Sequence, residues 1–244
     1  MWSGEVGKMD RATIAKAAIA AQGLFIGGWI VAGALEGHGY SAGKHDISDL
    51  GALTAHHVPL ALGSLGVAGL ITATFALAAL APSLAIPGRR IALGAVLVAL
   101  SLPSLDNMSD VFFRLDCRAA DSGCSMSDAA SSWHGKVHIA TFFVAAVATA
   151  VAPFALARRM RLVEGWRDLA GRTRAFGFVF IAGLLAALAT NDTNVQGWAQ
   201  RVLIVIVCSG IVALATRTAR LASTDTSNPS DPSRQSPTRS PIDA

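Results

Sequence analysis

The sequence predicts an all-α fold, a bundle of six transmembrane helices, and three observations predict it. Hydrophobic residues make up 52% of the 244 and charged ones only 15%, where a soluble domain carries about a quarter. The mean hydropathy is +0.49. The apolar residues fall in blocks about 20 long, the helical length that crosses a hydrocarbon core about 30 Å thick.

Spans are expected at 14–35, 58–80, 90–105, 137–157, 175–189 and 198–216. The third and fifth are short at their outer ends. The first has a basic start and a small-residue stretch, Ala32-Gly33-Ala34, as a cleaved signal peptide would. Its apolar region exceeds the roughly 7–15 residues of a signal-peptide core, which favours a retained helix.

Basic residues alternate along the connections. The N-terminus has Lys8, Arg11 and Lys16, Arg89 and Arg90 follow the second span, and Arg158, Arg159, Arg161, Arg167, Arg172 and Arg174 follow the fourth. Arg217, Arg220, Arg234 and Arg239 follow the sixth, and the remaining connections are poor in Lys and Arg and richer in acids. Positive charge collects in the cytoplasm. Both termini are therefore expected there, in a multi-pass protein of the cell membrane. The expected divisions are a cytoplasmic segment at 1–12, a six-helix membrane domain at 13–217, and a disordered cytoplasmic tail at 218–244. The tail is rich in Ser, Thr, Pro and Asp and has no apolar period with which to bury surface.

The net charge of +4 is spread along the chain. No aromatic residues are interleaved with a basic cluster, so the lipid bilayer is the expected partner and nucleic acid is not. The excess of Arg over Lys, with abundant Ala and Gly, points to a GC-rich bacterial genome. The cysteines are Cys117, Cys124 and Cys208, and none forms a CxxC pair, which argues against a zinc ribbon or thioredoxin-type site. Cys117 and Cys124 share an outer loop, where two nearby thiols oxidise and persist as a disulfide. Cys208 falls inside the sixth span as a small packing residue.

This topology puts the chemistry on one side. The first outer loop carries Glu36, His38, His45, Asp46, Ser48, Asp49, His56 and His57. The third carries Asp106, Asp110, Arg114, Asp116, Asp121 and Asp128. All six histidines lie outside or at the outer boundary. Asp46 and Asp49 can be caps or turn formers, or a carboxylate pair that binds a cation or acts as acid and base. Ser131 or Ser132 can cap the fourth helix, whose first turns carry His134 and His138. Histidines at i and i+4 share a helix face and can ligate one zinc. The glutamate of the HExxH pattern is missing, and a third ligand would come from Asp49, Asp106, Asp110 or Asp116. A hydrogen-bonded pair that ties loop to helix is the alternative. Arg201 opens the sixth span, where an unpaired cation is expensive. It reads as a structural lock to Asp106, Asp110, Asp116 or Asp192, or as an anchor for an anionic group.

The stretches GYSAGKHDISDLGA, SDVFFRLDC, WHGKVH and GWAQRV, in that order, resemble the domain-of-unknown-function 998 family of membrane proteins. The similarity covers about residues 15–220. It implies a six-helix integral membrane protein, largely from prokaryotes, and carries no settled activity.

Three functions are compatible with these features. The first is binding or handling of a lipid headgroup or small polar solute in an outward-facing site built from Asp46, Ser48, Asp49, Asp106, Asp110, Arg114, Asp116, His134, His138 and Arg201. The second is a zinc-dependent lipid or amide hydrolase at the outer leaflet, the metal held by His134 and His138. The third is an assembly protein whose Gly27, Gly28, Gly33, Gly63, Gly66 and Gly69 permit close helix contact. A haem carrier is the weakest option, because only His138 lies clearly inside a span.

Overall fold

The structure is a computed structural model that describes residues 10–88, 91–191 and 193–226. Its long helices are α1 (Arg11–Leu35), α2 (Val58–Ser83), α3 (Leu93–Ser109), α5 (Trp133–Met160), α6 (Arg167–Ala189) and α7 (Gln196–Thr226), with α4 (Met126–Ala129) a single turn in a loop. Among the described residues there is no β-strand element.

Five of these helices are long and apolar enough to cross a membrane. The exception is α3, which lies over the expected third span of 90–105. It begins at Leu93, and at about 1.5 Å per residue it reaches roughly 25 Å, short of a 30 Å core. It is also interrupted. Ser101 is extended, which frees the amide of Leu102, and Thr149 Oγ1 of α5 accepts from it at 3.0 Å. Pro103 then contributes no donor, and a π-turn covers Leu102–Asp106. The other bounds also shift. α6 starts at Arg167 rather than 175, and α7 continues to Thr226, past the expected start of the tail. Residues 1–9 and 227–244, with Arg89, Arg90 and Asp192, lie outside the described residues.

The helices form a closed ring in chain order. α1 packs on α2, α2 on α3, α3 on α5, α5 on α6, α6 on α7, and α7 returns to α1. Close approach at the α1–α2 contact depends on Gly28, where an added Cβ would stand 2.0 Å from Ser64 Oγ. Gly33, Gly66 and Gly69 likewise face Tyr40, Val111 and the Ser104 carbonyl, whereas Gly27 and Gly63 face open space. Most of the glycine stripe thus packs its own chain. A buried polar clasp joins α1 to α2, with Gln22 Nε2 donating to Thr72 Oγ1 at 2.9 Å.

Apolar clusters fill the ring, one of them joining Leu102, Phe180, Leu203 and Val207. Phe75, Leu80, Leu84, Leu156, Met160 and Trp166 pack at one end, and Phe25, Trp29, Leu50 and Leu65 nearer the other. The outward faces remain apolar, with Val67, Leu70, Val147, Leu185 and Val202 about half exposed. Apolar surface on this scale needs an apolar surrounding. The protein is a multi-pass membrane protein by its helices.

The connections separate to opposite ends. At one end Arg159 Nε donates to the Leu84 carbonyl at 2.8 Å, and Arg217 Nε to the Gly165 carbonyl at 2.6 Å. Gly165 has φ 79°, a left-handed turn between α5 and α6 that suits glycine. At the other end residues 36–57, 110–132 and 193–195 come together as a cap.

Candidate functional site

The cap is held by a buried chain of charges. Glu36, 2% exposed, accepts from the amides of His56 at 2.8 Å and His57 at 3.3 Å, and from Arg118 Nη1 at 2.9 Å. Arg118 Nε donates to Asp121 Oδ2 at 2.7 Å, and Asp121 Oδ1 meets His45 Nε2 at 2.9 Å. Burial opposes ionisation of Asp121, but hydrogen bonds from His45 and Arg118 outweigh it and hold the carboxyl below its usual range. Such a chain survives burial because each charge has a partner. The Cys117–Cys124 disulfide closes the loop that carries Arg118 and Asp121.

The aspartate pair of the first loop divides its work. Asp49 sits in the 3-10 turn Ser48–Gly51. Its Oδ2 accepts from the Asp46 amide at 3.1 Å and its Oδ1 from the Ala119 amide at 2.8 Å, which ties the first loop to the third. Burial nevertheless raises its carboxyl, against the pull of those amides and of His45. Asp46 is held more loosely, with Gln196 Nε2 at 3.5 Å from Oδ2. Burial, reinforced by the charge of Asp49, raises Asp46 from 3.8 to about 6.

Arg201, 2% exposed, pairs with neither Asp106, Asp110 nor Asp116, and Asp192 lies outside the described residues. Instead Nη1 donates to the carbonyls of Ala42 (2.8 Å), His45 (2.6 Å) and Gly197 (2.9 Å), and Nη2 to the Tyr40 hydroxyl. The guanidinium also lies 5.3 Å from the Trp29 ring, where a cation is attracted by the π-face. An added Cβ at Gly197 would stand 2.3 Å from the His45 carbonyl, so glycine is what lets the loop reach α7. Arg114 is used in the same way, donating from Nε to the Gly51 carbonyl at 2.7 Å and from Nη2 to that of Ala52 at 2.8 Å.

The residues expected to form one site split into two sets. Arg114, Asp116, His134 and Arg201 fasten the cap. Asp116 Oδ2 accepts from the Ser132 amide at 2.8 Å and from Ser131 Oγ at 3.1 Å, and Ser132 caps α5 by accepting from the Gly135 amide at 3.1 Å. The Ser132 amide, then the other serine bonds, keep the Asp116 carboxyl low. Exposed His134 lies 3.2 Å from the Phe112 carbonyl through Nδ1, its ring beside Trp133.

Asp46, Ser48, Asp49, Asp106, Asp110 and His138 line a cavity of about 310 Å³ beneath the cap. Every long helix contributes to its wall, including Phe25 of α1, Leu65 of α2 and Leu184 of α6. His138 Nδ1 sits 2.9 Å from Asp110 Oδ1 and 3.1 Å from the Phe113 carbonyl. Asn107, Asn191, Gln196 and Gln200 also line it and are not among the residues expected from sequence. Isolated amides beside apolar runs give no period or motif, and only the π-turn brings Asp106 and Asn107 to the cavity. The opposite wall is apolar, with Phe142, Phe143, Leu184, Leu188 and Leu203. Phe143 is 59% and Leu188 53% exposed, so this wall reaches the outer surface between α5 and α6.

His134 and His138 do not share a ligand position with a carboxylate. Among the described residues no group of three or more His, Cys, Asp or Glu is arranged to hold a metal ion. The two imidazoles take separate carbonyls of the 110–113 segment, which bind loop to helix.

A family model described as "Protein of unknown function (DUF998)" matches residues 19–217. No curated protein and no solved structure matches the chain.

Proposed function

The chain belongs to the DUF998 family, and from that premise we propose that it is a six-crossing protein of the cell membrane that binds an amphiphile, a lipid headgroup with its chain, from the outer face. The cavity carries this reading, because its polar ceiling under the cap and its apolar wall between α5 and α6 match the two halves of such a molecule. A polar residue buried at this depth is expensive without a functional or structural partner. Separation of the connections to opposite ends of the ring supports a crossing by α3. The positive-inside bias supports cytoplasmic termini.

The zinc hydrolase alternative has no comparable support, because the described residues offer no three-ligand group. Binding is tested with Ala187→Phe, which fills the cavity from the last turn of α6. Native mass spectrometry of the purified full chain with added lipid extract is expected to lose the bound amphiphile in this variant at an unchanged melting temperature. Equal lipid occupancy in both proteins would reject the cavity as the site.

A further inference from the structure

The charges around the cavity are one-sided. Asp46, Asp49, Asp106 and Asp110 all line it, and no Lys or Arg does. The nearby guanidinium groups are committed elsewhere, Arg201 and Arg114 to backbone carbonyls and Arg118 to Glu36 and Asp121. An anionic headgroup would meet these carboxyl groups with no guanidinium or ammonium among the described lining residues to receive it, and His138 is already engaged by Asp110.

Two further observations point to the complementary chemistry. The side-chain amide of Asn107, 5% exposed and on the cavity wall, has Nδ2 buried with no hydrogen-bond partner, and Asp106 Oδ1 is likewise buried and unpaired. Buried polar atoms of this kind are costly until something satisfies them. The carboxylates need donors, and the amide N–H needs an acceptor. A metal ion is the poorer fit, since among the described residues no three His, Cys, Asp or Glu are arranged to hold one. An ammonium group with its own N–H donors and a neighbouring oxygen spans acceptors that are further apart.

We infer that the cavity selects an amphiphile whose head is a primary amine beside a hydroxyl or carbonyl oxygen, with the amine at Asp106 and Asp110 and the oxygen at Asn107. This inference rests on the amphiphile-binding reading and deepens it. The hydrocarbon chain leaves along Phe143 and Leu188 toward the bilayer. His138 is the single cationic competitor on the wall, and its ion pair with Asp110 at 2.9 Å neutralises it there.

The test uses the full chain purified in a maltoside detergent and three probes of equal chain length, 2-aminododecan-1-ol, dodecanoate and dodecan-1-ol, with equilibrium binding measured at pH 7. The amino alcohol is expected to bind at least tenfold more tightly than either of the others. Asp106→Asn should remove most of that preference, and Asn107→Ala should weaken the amino alcohol severalfold. Dodecanoate binding as tightly as the amino alcohol would overturn the headgroup assignment and leave the cavity as an amphiphile site. Binding of all three probes that is unaffected by Ala187→Phe, or no binding of any, would overturn the cavity reading and this inference with it. Should Asp106→Asn fail to fold, the amine-to-acid ratio in the unaltered chain decides the question alone.

Discussion

Asp46 shows how position in the fold sets the chemistry of one residue. Its carboxyl titrates at about 6 rather than 3.8 because burial and the charge of Asp49 disfavour ionisation. The folded chain therefore holds the proton more tightly than the unfolded chain between those two values. That stabilisation is complete below about pH 4 and is lost as pH rises through about 6. Asp46→Asn removes the penalty of the ionised form, worth on the order of 2 kcal/mol at neutral pH. Melting curves should show the variant more stable than the native chain at pH 7.5, with the gap closing by pH 4. A gap that does not vary with pH would contradict the assignment. Arg201 shows the converse, a charge that the fold has fully used. Three carbonyls and the Tyr40 hydroxyl accept from it, so its role is to close the cap on α7 rather than to receive an anion.

At the scale of elements, the cap and α3 are where regular helix gives way. The disulfide spans a sequence separation of seven residues. By the chain-entropy estimate, closing so short a loop stabilises the fold by about 2 to 3 kcal/mol. Cys117→Ser with Cys124→Ser should lower the melting temperature by a corresponding amount. Hydrogen exchange should rise first in residues 36–57 and 110–132, because Arg118, Asp121 and Ala119 join that loop to Glu36, His45 and Asp49. Uniform acceleration over the helices would place the effect outside the cap. In α3 the break at Ser101 and the π-turn after it rotate the following residues, which delivers Asp106 and Asn107 to the cavity. π-turns are recurrent at functional positions for this reason.

For the whole molecule, the ring of helices is the feature that makes the cavity. Each neighbour in sequence is a neighbour in space, and the interior left at the capped end is lined from every side. The proposed topology predicts that a reporter fused after the C-terminus stays in the cytoplasm. An alkaline phosphatase fusion there should be inactive and a green fluorescent one bright, while phosphatase inserted near Ser122 should be active. The reverse pattern would place the C-terminus outside, either by inverting the bundle or by leaving α3 uncrossed, and activity at both sites would mean that one of α5–α7 does not cross.

The sequence by itself determined that the chain is helical and membrane-embedded, because a span declares itself by length and hydropathy and needs no partner. It also determined which polar residues collect with the Cys117–Cys124 pair, whose close spacing in one loop makes the disulfide legible. It left open what each polar side chain does. Asp110 and Asp116 lie in the same loop, yet one meets His138 on the cavity wall and the other caps the serines before α5. His134 and His138 share a helix face, yet only the second lines the cavity. Those outcomes depend on the closure of the ring and on hydrogen bonds between residues separated by up to 161 positions, such as Arg201 to Tyr40. Local pattern carries no trace of such contacts. Tertiary structure alone decided them, because a buried donor or acceptor is assigned by whichever partner the packed fold brings within reach.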